Sequence, residues 1–156
     1  MLFRSRVQHL IHQLKYKGNK QVGIHLGSLL GVELKQEGLF KEVDVVIPVP
    51  LHPKKLHQRG YNQSDQIAIG IADAMGIRYS FNNLVRNTYT ESQTKKNRYS
   101  RWQNVSGKFT VLMPHKLEGK HLLLVDDVLT TGATLEACAQ ELTDRKSTRL
   151  NSSHRL

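Results

Sequence analysis

Two short aliphatic runs limit the folds open to this chain more than any other feature. Residues 43–47 (VDVVI) are bounded by Pro48 and Pro50, and residues 121–125 (HLLLV) follow Gly119. Apolar runs of this length without polar alternation are typical of strands buried on both faces. Around them, apolar residues recur at helical spacing, so that strands alternate with helices. This order predicts an α/β fold with a parallel sheet.

Helical spacing of apolar residues occurs in four segments, which begin near residues 2, 24, 62 and 133. The first three are followed by a glycine that favours a helix end, at Gly18, Gly38 and Gly76. Either Asn62 or Ser64 could cap the third helix. Residues 77–85 have a weak strand pattern, and residues 108–111 are predicted to form a further strand. The basic residues 51–60 have no apolar repeat and are predicted to form a surface loop.

The chain length and the distribution of apolar residues restrict the class of protein. With 156 residues, the chain is long enough for one domain and too short for two. No apolar run approaches the roughly 20 residues of a membrane span, and the N-terminus lacks the apolar stretch of a secretory signal. We therefore expect a cytoplasmic protein without membrane contact. The single cysteine, Cys138, is expected to be buried and inert in the fourth helix.

The end of the chain differs from the rest. Residues 144–156 are polar, lack apolar periodicity and resemble the translation of a sequencing-adapter read. We expect a domain at 1–143 and a non-native or disordered tail at 144–156, with a genuine basic tail as the alternative. The tail holds four of the 23 basic and one of the 13 acidic residues, so without it the net charge of +10 becomes +7. The remaining basic chain suits phosphorylated metabolites or nucleic acid.

Chemically useful residues are concentrated after the second aliphatic run. Asp126 and Asp127 follow it directly, where ligands bind in open parallel sheets. A turn then offers hydroxyls and backbone N–H groups at the start of a helix, whose positive end attracts phosphate. The turn consists of Thr130, Thr131, Gly132, Ala133 and Thr134. Because the two carboxylates repel free phosphate, the expected ligand places hydroxyls beside the acids and a phosphate over the turn, as a ribose 5-phosphate does.

This segment resembles the motif with which type I phosphoribosyltransferases (PRTases) bind 5-phosphoribosyl-1-pyrophosphate (PRPP). The resemblance implies that Asp126 and Asp127 hold the ribose 2- and 3-hydroxyls and act in catalysis, and that residues 130–134 bind the 5-phosphate. Mg²⁺ is expected to arrive with the pyrophosphate, without a protein ligand of its own. The implied architecture is the parallel-sheet type I PRTase fold.

Further motifs narrow the resemblance to the ComF family (ComFC/GntX-like proteins). They are VPLH at 49–52, RGYNQ at 59–63, KYKG at 15–18, and the single residues Gln93, Arg98, Asn104, Gly107 and Phe109. The resemblance covers about residues 15–142. ComF-type proteins usually carry an N-terminal cysteine-rich zinc module, and their fold continues beyond the phosphate-binding helix with at least another strand. Neither is recognised in this sequence, so we expect a domain truncated at both ends.

The resemblance also assigns roles to two loops. The loop after the first core strand is expected to contact pyrophosphate, through the backbone of Val49, Pro50 and Leu51 and the charges of Lys54, Lys55 and Arg59. Residues 86–104 are predicted to be a mobile cationic loop that closes over the reacting centre, where Gln93, Arg98 and Asn104 match the family. The implied reaction displaces pyrophosphate from ribose C1 through a transition state with positive charge on the sugar.

Two functional classes stay open from the sequence. One is a phosphoribosyltransferase whose acceptor is unknown, and the other is a non-catalytic factor that binds PRPP or single-stranded DNA. ComF relatives are linked to DNA uptake in natural competence, which implies competence-machinery proteins as partners; a homodimer is also left open. Tyr99 and Trp102, among cations, could stack nucleic-acid bases or equally pack a short helix. The scattered histidines lack supporting cysteines or carboxylates and are interpreted as surface residues.

Overall fold

The computed structural model describes residues 12, 14, 17–87, 108–144 and 149–152. The helices are α1 (Lys20–Gln36), α2 (Pro53–Arg59), α3 (Gln63–Met75) and α4 (Ala133–Thr143). The strands are β1 (Val45–Pro48), β2 (Arg78–Tyr79), β3 (Leu84–Arg86), β4 (Phe109–Val111), β5 (His121–Val125) and β6 (Arg149–Ser152). Short 3₁₀ turns occupy Gly38–Phe40 and Pro114–Lys116.

The main sheet has the strand order β2-β1-β5-β6, and all its neighbouring strands are parallel. A separate two-stranded antiparallel sheet pairs β3 with β4. In the main sheet β1 and β5 lie side by side, with Pro48 opposite Val125 at their carboxyl ends. The predicted parallel α/β fold is therefore confirmed, and the chain segments that follow β1 and β5 emerge at the same edge.

Both faces of β1 and β5 are covered, which explains why these strands are continuously apolar. Val45, Ile47, Leu122 and Leu124 pack in one core with Cys138 and its neighbours on α4. The alternate residues, Val46, Leu123 and Val125, pack in a second core with Ala68, Ile71, Ala72 and Met75 of α3. Successive side chains of a strand point to opposite faces, so each strand contributes to both cores. The sheet thereby separates α4 from α3.

Helix α1 lies very close to α3 because glycines form the contact. An added Cβ at Gly27 would lie 2.1 Å from the carbonyl oxygen of Ile67, and one at Gly70 would lie 2.0 Å from that of Ile24. Any side chain would force these backbones apart. Just before α3, the Tyr61 hydroxyl donates a hydrogen bond to the carbonyl of Leu14. These contacts hold α3 against the preceding part of the chain.

Three of the predicted helices are confirmed by α1, α3 and α4. The prediction of a loop throughout 51–60 is wrong, because α2 forms there. Its start is favoured by Pro53 in the first turn and by His52, whose Nδ1 accepts a hydrogen bond from the Lys54 N–H, and Gly60 ends it with φ of 75°. The surface location is confirmed, since α2 buries none of its residues. The helix predicted to begin near residue 2 lies outside the described residues, except for the helical positions 12 and 14.

The segment predicted as a tail contributes one element to the described structure. Residues 149–152 form β6, which pairs with β5 in parallel. The non-native or disordered character of residues 144–156 stays a prediction. Within the described ranges, no helix has the length and apolar character needed to cross a bilayer, and the cytoplasmic location stays a prediction.

Candidate functional site

The carboxyl edge of the sheet brings two of the predicted site segments together. Val49 follows β1, and Asp126 follows β5. The backbone N–H of Val49 donates to the carbonyl oxygen of Val125 over 2.8 Å. The expected pyrophosphate loop, Val49, Pro50 and Leu51, therefore begins beside the strand that carries the acidic pair. Parallel pairing produces this neighbourhood, which is where open α/β sheets bind ligands.

Asp126 is half-buried, and one of its carboxylate oxygens is held by two donors. Oδ1 accepts a hydrogen bond from the Ser64 hydroxyl at 3.1 Å and another from the Asp127 N–H at 2.8 Å. Burial raises the pKa of Asp126, and the charge of Asp127 also raises it, whereas the two donors lower it. Asp126 is thus an oriented hydrogen-bond acceptor at the end of β5.

The threonine-rich turn after the acids is open to solvent. Thr130, Thr131, Ala133 and Thr134 are exposed. Gly132 adopts φ of 78° immediately before α4, a left-handed conformation that a side chain would disfavour. The Thr131 hydroxyl oxygen accepts a weak hydrogen bond of 3.4 Å from the Ala133 N–H. Backbone N–H groups and hydroxyls at the start of a helix suit an anion, so this turn can receive a phosphate.

The first turn of α3 reaches the same edge, and the sequence reasoning missed this role. Ser64 was interpreted only as a possible helix cap, and Asn62 as a cap and as part of the RGYNQ motif. The structure shows that Asn62 contacts Val49 and that Ser64 contacts Asp126. Asp65 accepts a hydrogen bond of 2.8 Å from the Asn62 side-chain N–H, and burial raises its pKa to about 6 against the opposing effect of that bond. Five consecutive polar residues at 62–66, where the helix starts, were the visible signal. Their contacts with β1 and β5 could not be seen from it.

The predicted cationic contacts lie partly on α2. Lys54 and Lys55 are exposed on this helix. Arg59, at its end, donates from Nη1 to the Oε1 of Gln63 over 2.7 Å, and Gln63 is itself only 1% exposed. The three residues predicted for the closing loop, Gln93, Arg98 and Asn104, lie outside the described residues, as do Tyr99 and Trp102. Their roles stay predictions.

Two other features that often take part in catalysis are a reactive cysteine and a cluster of metal-ligating side chains. Cys138 is fully buried, and burial raises the pKa of its thiol to about 12, with a smaller rise from the charge of Asp126. Its predicted burial is confirmed. Among residues 12, 14, 17–87, 108–144 and 149–152, no three His, Cys, Asp or Glu side chains cluster as metal ligands would. The arrival of Mg²⁺ with the pyrophosphate, without a protein ligand of its own, stays a prediction.

Comparison with known proteins agrees with this geometry. The family described as "Phosphoribosyl transferase domain" matches residues 62–154. A DNA utilization protein (YhgH) of Escherichia coli is 32% identical over 85% of this chain, and competence protein F of Haemophilus influenzae is 29% identical over 85%. The chain spans 59% and 60% of the lengths of these two relatives.

A solved structure supports the same assignment. The glutamine PRPP amidotransferase of Bacillus subtilis aligns with 91% of this chain and 30% of its own, with a TM-score of 0.61 and 26% identity. The shared architecture is the type I PRTase fold, which confirms the predicted fold class. The chain belongs to the phosphoribosyl transferase domain family, as a protein of the ComF kind.

Proposed function

We propose that this chain binds PRPP with Mg²⁺ and transfers the phosphoribosyl group to an acceptor with release of pyrophosphate. One observation carries the proposal. Asp126 and Asp127 leave β5 beside Val49, and the open threonine turn leads into α4 a few residues later. One edge of the sheet thus carries two acids that can accept hydrogen bonds from ribose hydroxyls, a turn that suits a phosphate and the proposed pyrophosphate loop. These correspond to the ribose, the 5-phosphate and the pyrophosphate of PRPP.

Each part of the chain has a task in the proposed reaction. Asp126 and Asp127 accept hydrogen bonds from the ribose hydroxyls, and residues 130–134 bind the 5-phosphate. The acceptor donates a lone pair to ribose C1 while the bond from C1 to the pyrophosphate oxygen breaks, and that electron pair leaves with pyrophosphate. Positive charge develops on the sugar, which a nearby carboxylate stabilises. Bound Mg²⁺ would supply charge neutralisation for pyrophosphate, supported by Lys54, Lys55 and Arg59.

The test is calorimetric titration of PRPP with Mg²⁺ into the 156-residue chain. We expect saturable binding in the parent and loss of binding in the double variant Asp126→Asn, Asp127→Asn. The matched control is Asp73→Asn, which removes an exposed carboxylate near the other end of α3. Circular dichroism establishes that each variant is folded. A folded parent that does not bind PRPP would overturn the proposal.

A non-catalytic factor is the second candidate, because the relatives are named for DNA utilization and competence. In this case the chain would bind single-stranded DNA or PRPP and act with competence-machinery proteins, without transfer. The exposed cations of α2 would contribute to DNA binding. Affinity for an oligonucleotide should then fall steeply with salt, because bound cations release counterions from the phosphates. A pyrophosphate-release assay separates the classes, since only the enzyme turns over PRPP.

A further inference from the structure

The first turn of α3 contacts both halves of the proposed PRPP site. The Asn62 side-chain N–H₂ donates to the carbonyl oxygen of Val49 at 2.9 Å and to Asp65 Oδ1 at 2.8 Å. Two residues later, the Ser64 hydroxyl donates to Asp126 Oδ1 at 3.1 Å. Asn62 and Ser64 are 7% and 3% exposed, so these bonds are shielded from competition with water.

From these contacts we propose that Asn62 and Ser64 are positioning residues that set the pyrophosphate loop and the ribose-binding Asp126 at a defined separation. The inference rests on the proposed function and adds two residues to it. Both side chains belong to one helical turn, and that turn is backed by the close contact of α3 with α1. The position of each half of the site is therefore set by this one helical turn as well as by the sheet.

On the pyrophosphate side, Asn62 completes the restraint of Val49. The N–H of Val49 donates to Val125, and its carbonyl oxygen accepts from Asn62. Both backbone polar groups of Val49 are thus engaged, one by each neighbouring element. The direction in which the chain leaves β1 towards Pro50 and Leu51 follows from these two bonds.

On the ribose side, Ser64 helps to set the orientation of the Asp126 carboxylate. Oδ1 accepts hydrogen bonds from the Ser64 hydroxyl and from the Asp127 N–H. These two bonds fix the plane of the carboxylate, and with it the direction in which Asp126 can accept a ribose hydroxyl.

If Asn62 acted only as a helix cap, its replacement by another capping residue would leave ligand binding unchanged. The Asn62 Oδ1 also accepts a bond of 3.3 Å from the Ser64 N–H, an ordinary helix N-cap. Serine is an equally good cap, so Asn62→Ser keeps the cap and removes the two bonds donated by the amide. Ser64→Ala removes only the bond to Asp126. Ser28→Ala is the matched control, because the Ser28 hydroxyl donates to Ile24 within α1, away from these contacts.

The experiment compares three probes on the full chain by calorimetry: PRPP with Mg²⁺, pyrophosphate with Mg²⁺, and ribose 5-phosphate. Ser64→Ala should weaken PRPP and ribose 5-phosphate about tenfold, the scale of one hydrogen bond to a charged group, and leave pyrophosphate unchanged. Asn62→Ser should weaken PRPP and pyrophosphate about fivefold, the scale of one neutral hydrogen bond, and leave ribose 5-phosphate unchanged. Ser28→Ala should change none of the three.

The outcomes separate this inference from the function on which it rests. If the parent binds PRPP and both variants bind all three probes as the parent does, the positioning role is overturned and the function stands. Equal weakening of all three probes would also overturn it, because that pattern indicates a general structural defect. A parent that binds no PRPP overturns both. Ser64→Cys and Asn62→Thr replace any variant that circular dichroism shows to be unfolded.

Discussion

Replacing Gly27 with alanine is expected to destabilise the protein, although alanine is the better helix former. The new Cβ would lie 2.1 Å from the carbonyl oxygen of Ile67 and 2.9 Å from its carbonyl carbon, whereas ordinary contact begins at 3.4 Å. Both atoms belong to the α3 backbone and cannot rotate away. The helices must therefore separate locally by about 1 Å, and their packed side chains lose contact.

The net effect follows from two opposing terms. Alanine gains about 1 kcal/mol over glycine in a helix interior. Overpacking costs about 1–3 kcal/mol, and more where backbone must move. Because the obstacle here is backbone, we expect the free energy of unfolding to fall by about 2 kcal/mol. For a domain of this size the melting temperature would then fall by about 6 °C.

Urea unfolding followed by circular dichroism measures this change. The matched control is Gly38→Ala, where an added Cβ meets no atom within 4 Å and φ is not positive. This control should be neutral or stabilised by about 0.5 kcal/mol, because alanine restricts the unfolded chain. If Gly27→Ala is as stable as Gly38→Ala, the close helix contact is not needed for stability and the reasoning is refuted.

Two further predictions concern titratable groups. Because the pKa of Asp65 is about 6 in the folded chain against an ordinary 3.8, folding binds protons between these values. The unfolding free energy of the parent should therefore fall relative to that of Asp65→Asn as the pH rises from about 4 to 6. Above pH 6 the difference between the two proteins should stay constant. Urea unfolding at several pH values measures this difference, and a difference that does not change with pH would contradict the prediction. Cys138, with its pKa raised to about 12, should not react with a disulfide reagent at pH 8 until urea unfolds the chain. Rapid reaction of the native thiol would show that it is accessible.

Much of the fold could be predicted because it depends on local pattern. The apolar runs of β1 and β5 predict strands covered on both faces, and the glycines after α1 and α3 mark helix ends. Helix α2 was missed because it buries nothing and has no apolar period. Its start depends on a local cap at His52 and on Pro53, which carry a weaker signal than hydrophobic spacing.

By itself, the sequence determined the alternation of strands and helices, the acidic pair after β5 and the threonine turn before α4. These features are contiguous in the chain, so their order alone brings them together. Only the tertiary structure decided that Ser64 reaches Asp126, 62 residues away, and that Asn62 reaches Val49. Such contacts depend on how α3 packs on the sheet, and that packing follows from the glycine contact with α1 and from the second apolar core. Distant residues meet through the sum of these contacts, which no local pattern encodes.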